Sequence, residues 1–130
     1  MSPVSELHRG DIVRVPFPYV TDFRKAKTRP ALIIQNNVGN RFGSTVIVAL
    51  ISSSVPEKRY PMHYLIPHPS PLAKAAGLRT TSIVKMETIV TLPKRAILER
   101  LGSLPSEAVR EADEALAFSL ELRLAPASRP

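Results

Sequence analysis

The chain has 130 residues, of which 44% are hydrophobic and 22% are charged, a composition that predicts one globular domain over residues 1–130. Its 18 lysines and arginines outnumber 11 acidic residues and give a formal net charge of +7, which favours polyanionic partners, nucleic acid before an anionic membrane surface. Because cysteine is absent and no apolar run has the length of a membrane span, the sequence excludes disulfides and cysteine nucleophiles, and we expect a cytoplasmic protein with no membrane contact.

Strand patterns occupy the first half of the chain. The segment "GDIVRVPFPYV" alternates, with Val13, Val15 and Phe17 on one face and Arg14 on the other. The continuous β-branched runs "PALIIQ" and "STVIVALI" indicate strands that are buried on both faces. Between these runs, "NNVGNRFGS" is rich in glycine and asparagine, which favours a hairpin connection.

The second half mixes strands with helices. The segments "HYLIP" and "SIVKMETIVTL" predict two or three further strands, the later one breaking or bending near Glu87. In "SPLAKAAGL", Ser70 is a good N-cap, Pro71 suits the first helical position, and Gly77 can end the helix with positive φ. These features predict a compact helical turn.

The C-terminal region gives the clearest helical pattern, starting around Pro105. Apolar residues recur there at helical spacing, namely Val109, Ala112, Leu116 and Leu120. Just before it, "PKRAILERLG" is locally compatible with a helix that stops at Gly102. Short strands followed by one terminal helix predict a mainly β, α+β fold in which a small β-barrel packs against that helix, with residues 125–130 as a frayed tail.

Most standard catalytic motifs are missing. His8, His63 and His68 are scattered, so we expect no metal site and no cofactor. The carboxylates of Asp11 and Glu87 stand alone on strands, where a structural hydrogen-bonding role is expected. The serines after "VALI" have no glycine-serine-glycine elbow of the lipase type.

Two features remain as candidate chemistry. The basic segment "RKAKTR" ends at Arg29, at the start of one buried strand, and Ser52 follows another. If the two strands pair, the guanidinium and the hydroxyl emerge at one rim and can bind phosphate oxygens. The residues alone leave two alternatives open: Arg29 could be a surface salt-bridge partner, and the serines could be turn residues.

The order of these segments resembles one family. "RGDIVRVPFPY", "KTRPALIIQNN", "STVIVALISSS", "SIVKMETIVTL" and "DEALAFSLEL" are similar to segments of the MazF/PemK (Kid) toxins of bacterial type II toxin–antitoxin systems, and the resemblance covers residues 8–124. It implies an SH3-like barrel with a C-terminal helix. It also implies that "PKRAILERLG" forms a short turn followed by a strand, and this replaces the helical interpretation.

The resemblance implies a homodimeric, metal-independent endoribonuclease that cleaves single-stranded mRNA and is neutralised by a cognate antitoxin. Its catalytic arginine and hydroxyl would be Arg29 and Ser52, with the substrate 2′-hydroxyl as nucleophile. The expected RNA-binding residues are the basic segment and its neighbours, with a second group after the serines: Arg24, Lys25, Lys27, Thr28, Ser53, Lys58 and Arg59.

Two departures from the family pattern affect specificity and rate. The first loop reads "VTDFRKAKTRP" where many relatives have a glycine-rich loop that contains glutamate, so the recognised RNA sequence cannot be transferred. Position 52 is serine where threonine is commoner. Two other functions stay open: a barrel that acts by binding a protein, as gyrase-poisoning toxins do on a similar fold, and an RNA-binding module that does not cleave.

Overall fold

The computed structural model describes residues 6–17 and 27–123, which form six strands and three helices. The strands are β1 (Asp11–Phe17), β2 (Lys27–Ile33), β3 (Thr45–Ser52), β4 (His63–Ile66), β5 (Ser82–Pro93) and β6 (Glu99–Ser103). The helices are α1 (Asn37–Phe42), α2 (Pro71–Ala76) and α3 (Ser106–Leu120), and a 3₁₀ turn spans Lys94–Ala96. No helix in these ranges combines the length and the apolar character needed to cross a membrane.

All six strands join one antiparallel sheet in the order β4-β5-β3-β2-β1-β6. The sheet curls into a half-barrel, and α3 packs against β4 and β5. The predicted α+β class, with a small barrel-like sheet and a C-terminal helix, is therefore confirmed.

The central strands are buried on both faces, as their continuous apolar runs predict. In β2, Leu32 packs in the cluster on the α3 side, whereas Ala31 and Ile33 pack in the cluster on the opposite face. In β3, Ile51 packs in the cluster on the α3 side and Val48 in the cluster on the opposite face. This two-sided burial fixes the register of β2 against β3, because a slip of one residue would exchange the faces.

The predicted bend of β5 near Glu87 is confirmed. Pairing with β3 shifts abruptly, since Ala49 lies opposite Ile89 while the next residue, Leu50, lies opposite Lys85. Residues 86–88 therefore form an irregularity inside an otherwise continuous strand, as expected for a bulge. The segment after β5 also follows the prediction, with a short turn and then β6 in place of a helix.

Helix α2 begins and ends as predicted. The Ser70 hydroxyl accepts a hydrogen bond from the backbone N–H of Ala73 at 3.0 Å, and Gly77 closes the helix with φ of 73°. Helix α3 begins after Pro105, also as predicted.

The connection between β2 and β3 differs from the prediction. The two strands do pair as antiparallel neighbours, but a six-residue helix, α1, joins them where a turn was predicted. The Asn36 side chain caps this helix by accepting from the Gly39 N–H at 2.7 Å. The buried Asn40 amide donates to the Gln35 carbonyl at 2.9 Å. Asparagine serves caps as well as turns, and here the cap is formed.

The predicted apolar stripe of α3 is wrong at its last member. Ala112 is buried and Val109 and Leu116 pack on the core, but Leu120 is 52% exposed. The helix buries mainly alanines, Ala108, Ala112, Ala115 and Ala117. Leu120 lies at the end of the helix, immediately before Glu121 closes it in the left-handed conformation.

Candidate functional site

The ends of β2 and β3 open into a cavity of about 540 Å³. Arg29 and Ser52 both line it, together with their neighbours Thr28 and Ser53. The β2–β3 pairing ends with Ala31 opposite Leu50, and Arg29 and Ser52 each lie two residues beyond this last pair. The sheet therefore brings the guanidinium and the hydroxyl to one rim, where the sequence predicts them.

Arg29 combines an exposed side chain with an anchored backbone. It lies opposite Val15 in the β1–β2 pairing, and Ala31, two residues on, is completely buried. Its Nη1 donates to the Thr28 carbonyl at 3.1 Å. This anchoring leaves the other guanidinium donors for the cavity while the strand limits where the group can move.

Ser52 is half-buried at the last position of β3. Its Oγ accepts a hydrogen bond from the Ser54 backbone N–H at 3.1 Å, so it stabilises the turn that follows. A hydroxyl that accepts such a bond still has its own proton to donate. The turn role and a phosphate-binding role are therefore compatible in the same side chain.

Three charged residues beyond the predicted site also line the cavity. Arg14 and Glu99 come from β1 and β6, and the Arg14 Nε donates to Glu99 Oε2 at 3.0 Å. Arg79 reaches the cavity from the segment after α2. The lining that the structure describes thus holds three arginines and one carboxylate, an arrangement that attracts anions.

Of these three residues, only Arg14 carries a signal in the sequence. The alternation of β1 places Arg14 on the face opposite Val13 and Val15, which is a usable signal. Arg79 and Glu99 follow no motif, and they reach the cavity through the pairing of β1 with β6 and the packing of α2 on β6.

Of the remaining predicted RNA contacts, those that the structure describes do not line this cavity. Lys27 is exposed at the start of β2. Lys58 and Arg59 are exposed in the connection between β3 and β4, where the Lys58 ammonium lies 5.6 Å from the Tyr60 ring centroid. Arg24 and Lys25 lie outside the described residues.

Comparison with known proteins places the chain in a family. A family model described as "PemK-like, MazF-like toxin of type II toxin-antitoxin system" matches residues 8–120. The chain belongs to this family.

Similar proteins match this chain over nearly its full length. Endoribonuclease EndoA of Bacillus subtilis (strain 168) is 34% identical over 114 residues, which cover 88% of this chain and 94% of the relative. Among solved structures, a mycobacterial endoribonuclease in complex with its cognate antitoxin matches with a TM-score of 0.70 at 24% identity, over 92% of this chain and 99% of the other.

Two further structures share the toxin fold. The Mycobacterium tuberculosis toxin MazF-mt6 gives a TM-score of 0.69 at 21% identity, over 88% of this chain and 99% of that one. MazE-MazF (Form-III) from Deinococcus radiodurans gives a TM-score of 0.66 at 20% identity, over 90% of this chain and 98% of that one. At these identities the three structures establish a common fold.

A second polar cluster in this family member lies on β4 and β5. His63 Nε2 and Glu87 Oε2 are 2.9 Å apart, and His63 Nδ1 is buried without a partner among the described residues. Burial alone raises the pKa of Glu87, but its hydrogen bonds, first that to His63, and the charges of His63 and Lys85 outweigh burial and lower this pKa. The pair ties β4 to the irregular part of β5.

The toxin fold also joins β4 to α3 through a hydrogen bond. The Tyr64 hydroxyl donates to Glu111 Oε1 at 2.8 Å. Burial and this bond raise the pKa of Tyr64, so it remains a donor at neutral pH. In the ranges that the structure describes, no three His, Cys, Asp or Glu side chains are grouped so as to hold a metal ion.

Proposed function

We propose that this family member is a toxin that acts as a sequence-specific endoribonuclease on single-stranded mRNA without a metal ion. The observation that carries the proposal is the convergence of Arg29 and Ser52 in one arginine-lined cavity. The chain's 34% identity to an endoribonuclease supports it. The catalytic roles below are part of the proposal.

The reaction uses the substrate as its own nucleophile. The RNA 2′-hydroxyl attacks the adjacent phosphorus and loses its proton, and the bond from phosphorus to the 5′-oxygen breaks. That oxygen gains a proton, so the products are a 2′,3′-cyclic phosphate and a free 5′-hydroxyl. The protein then needs to orient the strand and stabilise the charge that develops on the phosphate oxygens.

Arg29 and Ser52 have complementary roles in this step. Arg29 stabilises the pentavalent phosphate, because its planar fork of donors stays charged at any physiological pH. We also assign to it the assistance of proton transfer. Ser52 donates a hydrogen bond to a non-bridging oxygen. The anchored backbone of both residues keeps the donors in place during the reaction, which is the main source of such stabilisation.

Substrate attraction is assigned to the surrounding cations and polar groups. Thr28 and Ser53 line the cavity, Lys27 directly precedes Thr28 on β2, and Lys58 and Arg59 lie on the exposed β3–β4 connection. Together with Arg24 and Lys25 they would attract the phosphate backbone without reading its sequence. The proposed protein partners are a second copy of the chain and a cognate antitoxin.

The test is cleavage of a mixed-sequence RNA by purified protein in EDTA. We expect specific cuts whose downstream fragments accept phosphate directly from polynucleotide kinase, since their 5′-ends carry free hydroxyls. Fragments with 5′-phosphates would contradict the mechanism. A shift of RNA on a gel without cutting would favour the RNA-binding module, and neither cutting nor binding would favour a barrel that binds a protein.

A further inference from the structure

A second cavity adjoins the candidate site. It has a volume of about 950 Å³ and is lined by the loop before α2, by α2 itself and by the segment that directly follows this helix. Three consecutive residues, Gly77, Leu78 and Arg79, line both cavities. A molecule that fills the first cavity can therefore extend past Arg79 into the second.

The charge of the second cavity suits an anion. Lys74 and Arg79 line it together with His68. Within the described part of the chain, no acidic side chain contributes to its lining. Because Lys74 and Arg79 are exposed, their charges act at the surface of the cavity, where an extended polyanion can reach both.

The walls of this cavity are held in place by contacts independent of any ligand. The His68 N–H donates to Thr81 Oγ1 at 2.9 Å, and the same hydroxyl donates back to the His68 carbonyl at 3.2 Å. Gly77 has φ of 73°, and a Cβ added there would overlap the carbonyl oxygen of Leu101. These contacts fix the loop before α2 and the loop after it, so the cavity is preformed.

We propose that the second cavity is a subsite for the RNA strand that flanks the scissile phosphate. Lys74 contacts a phosphate of that flanking strand, and Arg79 bridges the flanking strand and the scissile phosphate. The inference rests on the proposed ribonuclease function. RNA fits better than an acidic peptide, because the cavity continues the one in which Arg29 and Ser52 meet.

The subsite has a specific kinetic signature. A contact to a flanking phosphate is made equally in the ground state and in the transition state, so its loss raises KM and leaves kcat unchanged. Lys74→Gln should raise KM several-fold for an RNA that is long enough to reach the cavity. It should also reduce the slope of log affinity against log salt by about 0.7, as expected for one lost phosphate contact on a single strand.

The experiment uses a nested series of RNAs around one mapped cut site. The RNAs extend one nucleotide at a time, first on the 5′ side and then on the 3′ side, and kcat and KM are measured for each. We expect the KM of the wild type to fall as the RNA is extended in one direction. In Lys74→Gln this fall in KM should be abolished, while the shortest RNA is cut as by the wild type. Arg110→Gln is the matched control, because Arg110 is also an exposed helical cation but lines neither cavity.

The outcomes separate this inference from the proposed function. If the wild type cuts RNA and the KM of Lys74→Gln still falls fully as the RNA is extended, the proposed subsite is wrong and the proposed ribonuclease function is unaffected. If only the affinity for poly-L-glutamate falls in Lys74→Gln, the cavity takes an acidic polypeptide and the RNA assignment is wrong. If the wild type cuts no RNA, both proposals fail.

Discussion

Arg29 owes its proposed role to a contrast between its backbone and its side chain. The backbone belongs to a strand whose next residues are Pro30 and the fully buried Ala31, whereas the side chain is exposed at the cavity. A free cation in a loop can attract phosphate equally well, but it cannot hold donors at a fixed position. Position is what a transition-state contact requires.

Replacing Arg29 by lysine separates attraction from catalysis. Arg29→Lys keeps the charge and loses the planar fork, so we expect single-turnover cleavage in EDTA to fall by about 10²–10³, the range for losing one oriented donor. RNA binding should weaken only modestly. Arg41→Lys, an exposed cation on α1 away from the cavity, should cleave normally. Near wild-type cleavage by a folded Arg29→Lys protein would leave Arg29 as one more cation on a basic surface.

Ser52 and Ser53 carry neighbouring hydroxyls, so alanine substitutions at the two positions can be compared directly. Because Ser52 is half-buried at the end of β3 and Ser53 is more exposed, we expect Ser52→Ala to lower the single-turnover rate by about 10² and Ser53→Ala to affect mainly KM. Ser52→Thr retains the hydroxyl and should stay within a few-fold of the wild type. If Ser53→Ala shows the larger loss in rate, the two assignments are exchanged.

Helix α2 connects local sequence to the shape of both cavities. Its cap residues determine where it begins and ends, and its closing residue, Gly77, lines both cavities. A side chain at this position faces two penalties, since the backbone is left-handed and the Leu101 carbonyl occupies the place of a Cβ. The element therefore depends on one glycine for its packing on β6.

Gly77→Ala should destabilise the protein by about 2 kcal/mol or more, combining the cost of the left-handed conformation with the overlap. Urea unfolding followed by circular dichroism measures the change. The control is Gly43→Ala, at φ of −80°, where the added Cβ would lie 3.0 Å from the Gly39 carbonyl oxygen. We expect a smaller loss there, and equal losses for the two variants would contradict the assigned conformational role of Gly77.

At the scale of elements, local signals in the sequence predict most of the fold. The caps of α2 and the two-sided strands are encoded by neighbouring residues, and the structure has them. The turn predicted between β2 and β3 is wrong because asparagine and glycine serve turns and helix ends alike, and the Gln35–Asn40 contacts favour the helix. Arg79 and Glu99 could not be predicted, because tertiary packing alone brings them to the cavity that Arg29 lines.

For the whole molecule, the net charge of +7 includes three arginines that line the cavity. One chain offers a single arginine-lined rim, whereas a twofold dimer would place two such rims beside one groove. Two large apolar side chains on α1, Val38 and Phe42, are also more than two-thirds exposed. The exposure of these two side chains favours an assembly larger than one chain.

We expect a homodimer at micromolar concentration, measured by light scattering coupled to size exclusion. The matched comparison is the same measurement at high salt, which should leave the dimer intact if its contacts are apolar. A monomer under both conditions would contradict a groove shared by two subunits. It would leave the fold and the single-chain cavity unchanged.

The last prediction concerns neutralisation by the antitoxin. An acidic segment that is disordered alone and orders on contact should cover Arg29 and the basic segment 24–29, because the charge there complements its own. It would then act by excluding RNA, with no unfolding of the toxin. Anisotropy of a labelled RNA carrying a 2′-deoxy residue at the cut site measures binding without cleavage. We expect antitoxin to displace this RNA while the circular dichroism of the toxin is kept, and to do so less well as salt increases. An inhibited complex that binds the RNA as tightly as free toxin would show that inhibition does not depend on covering the site.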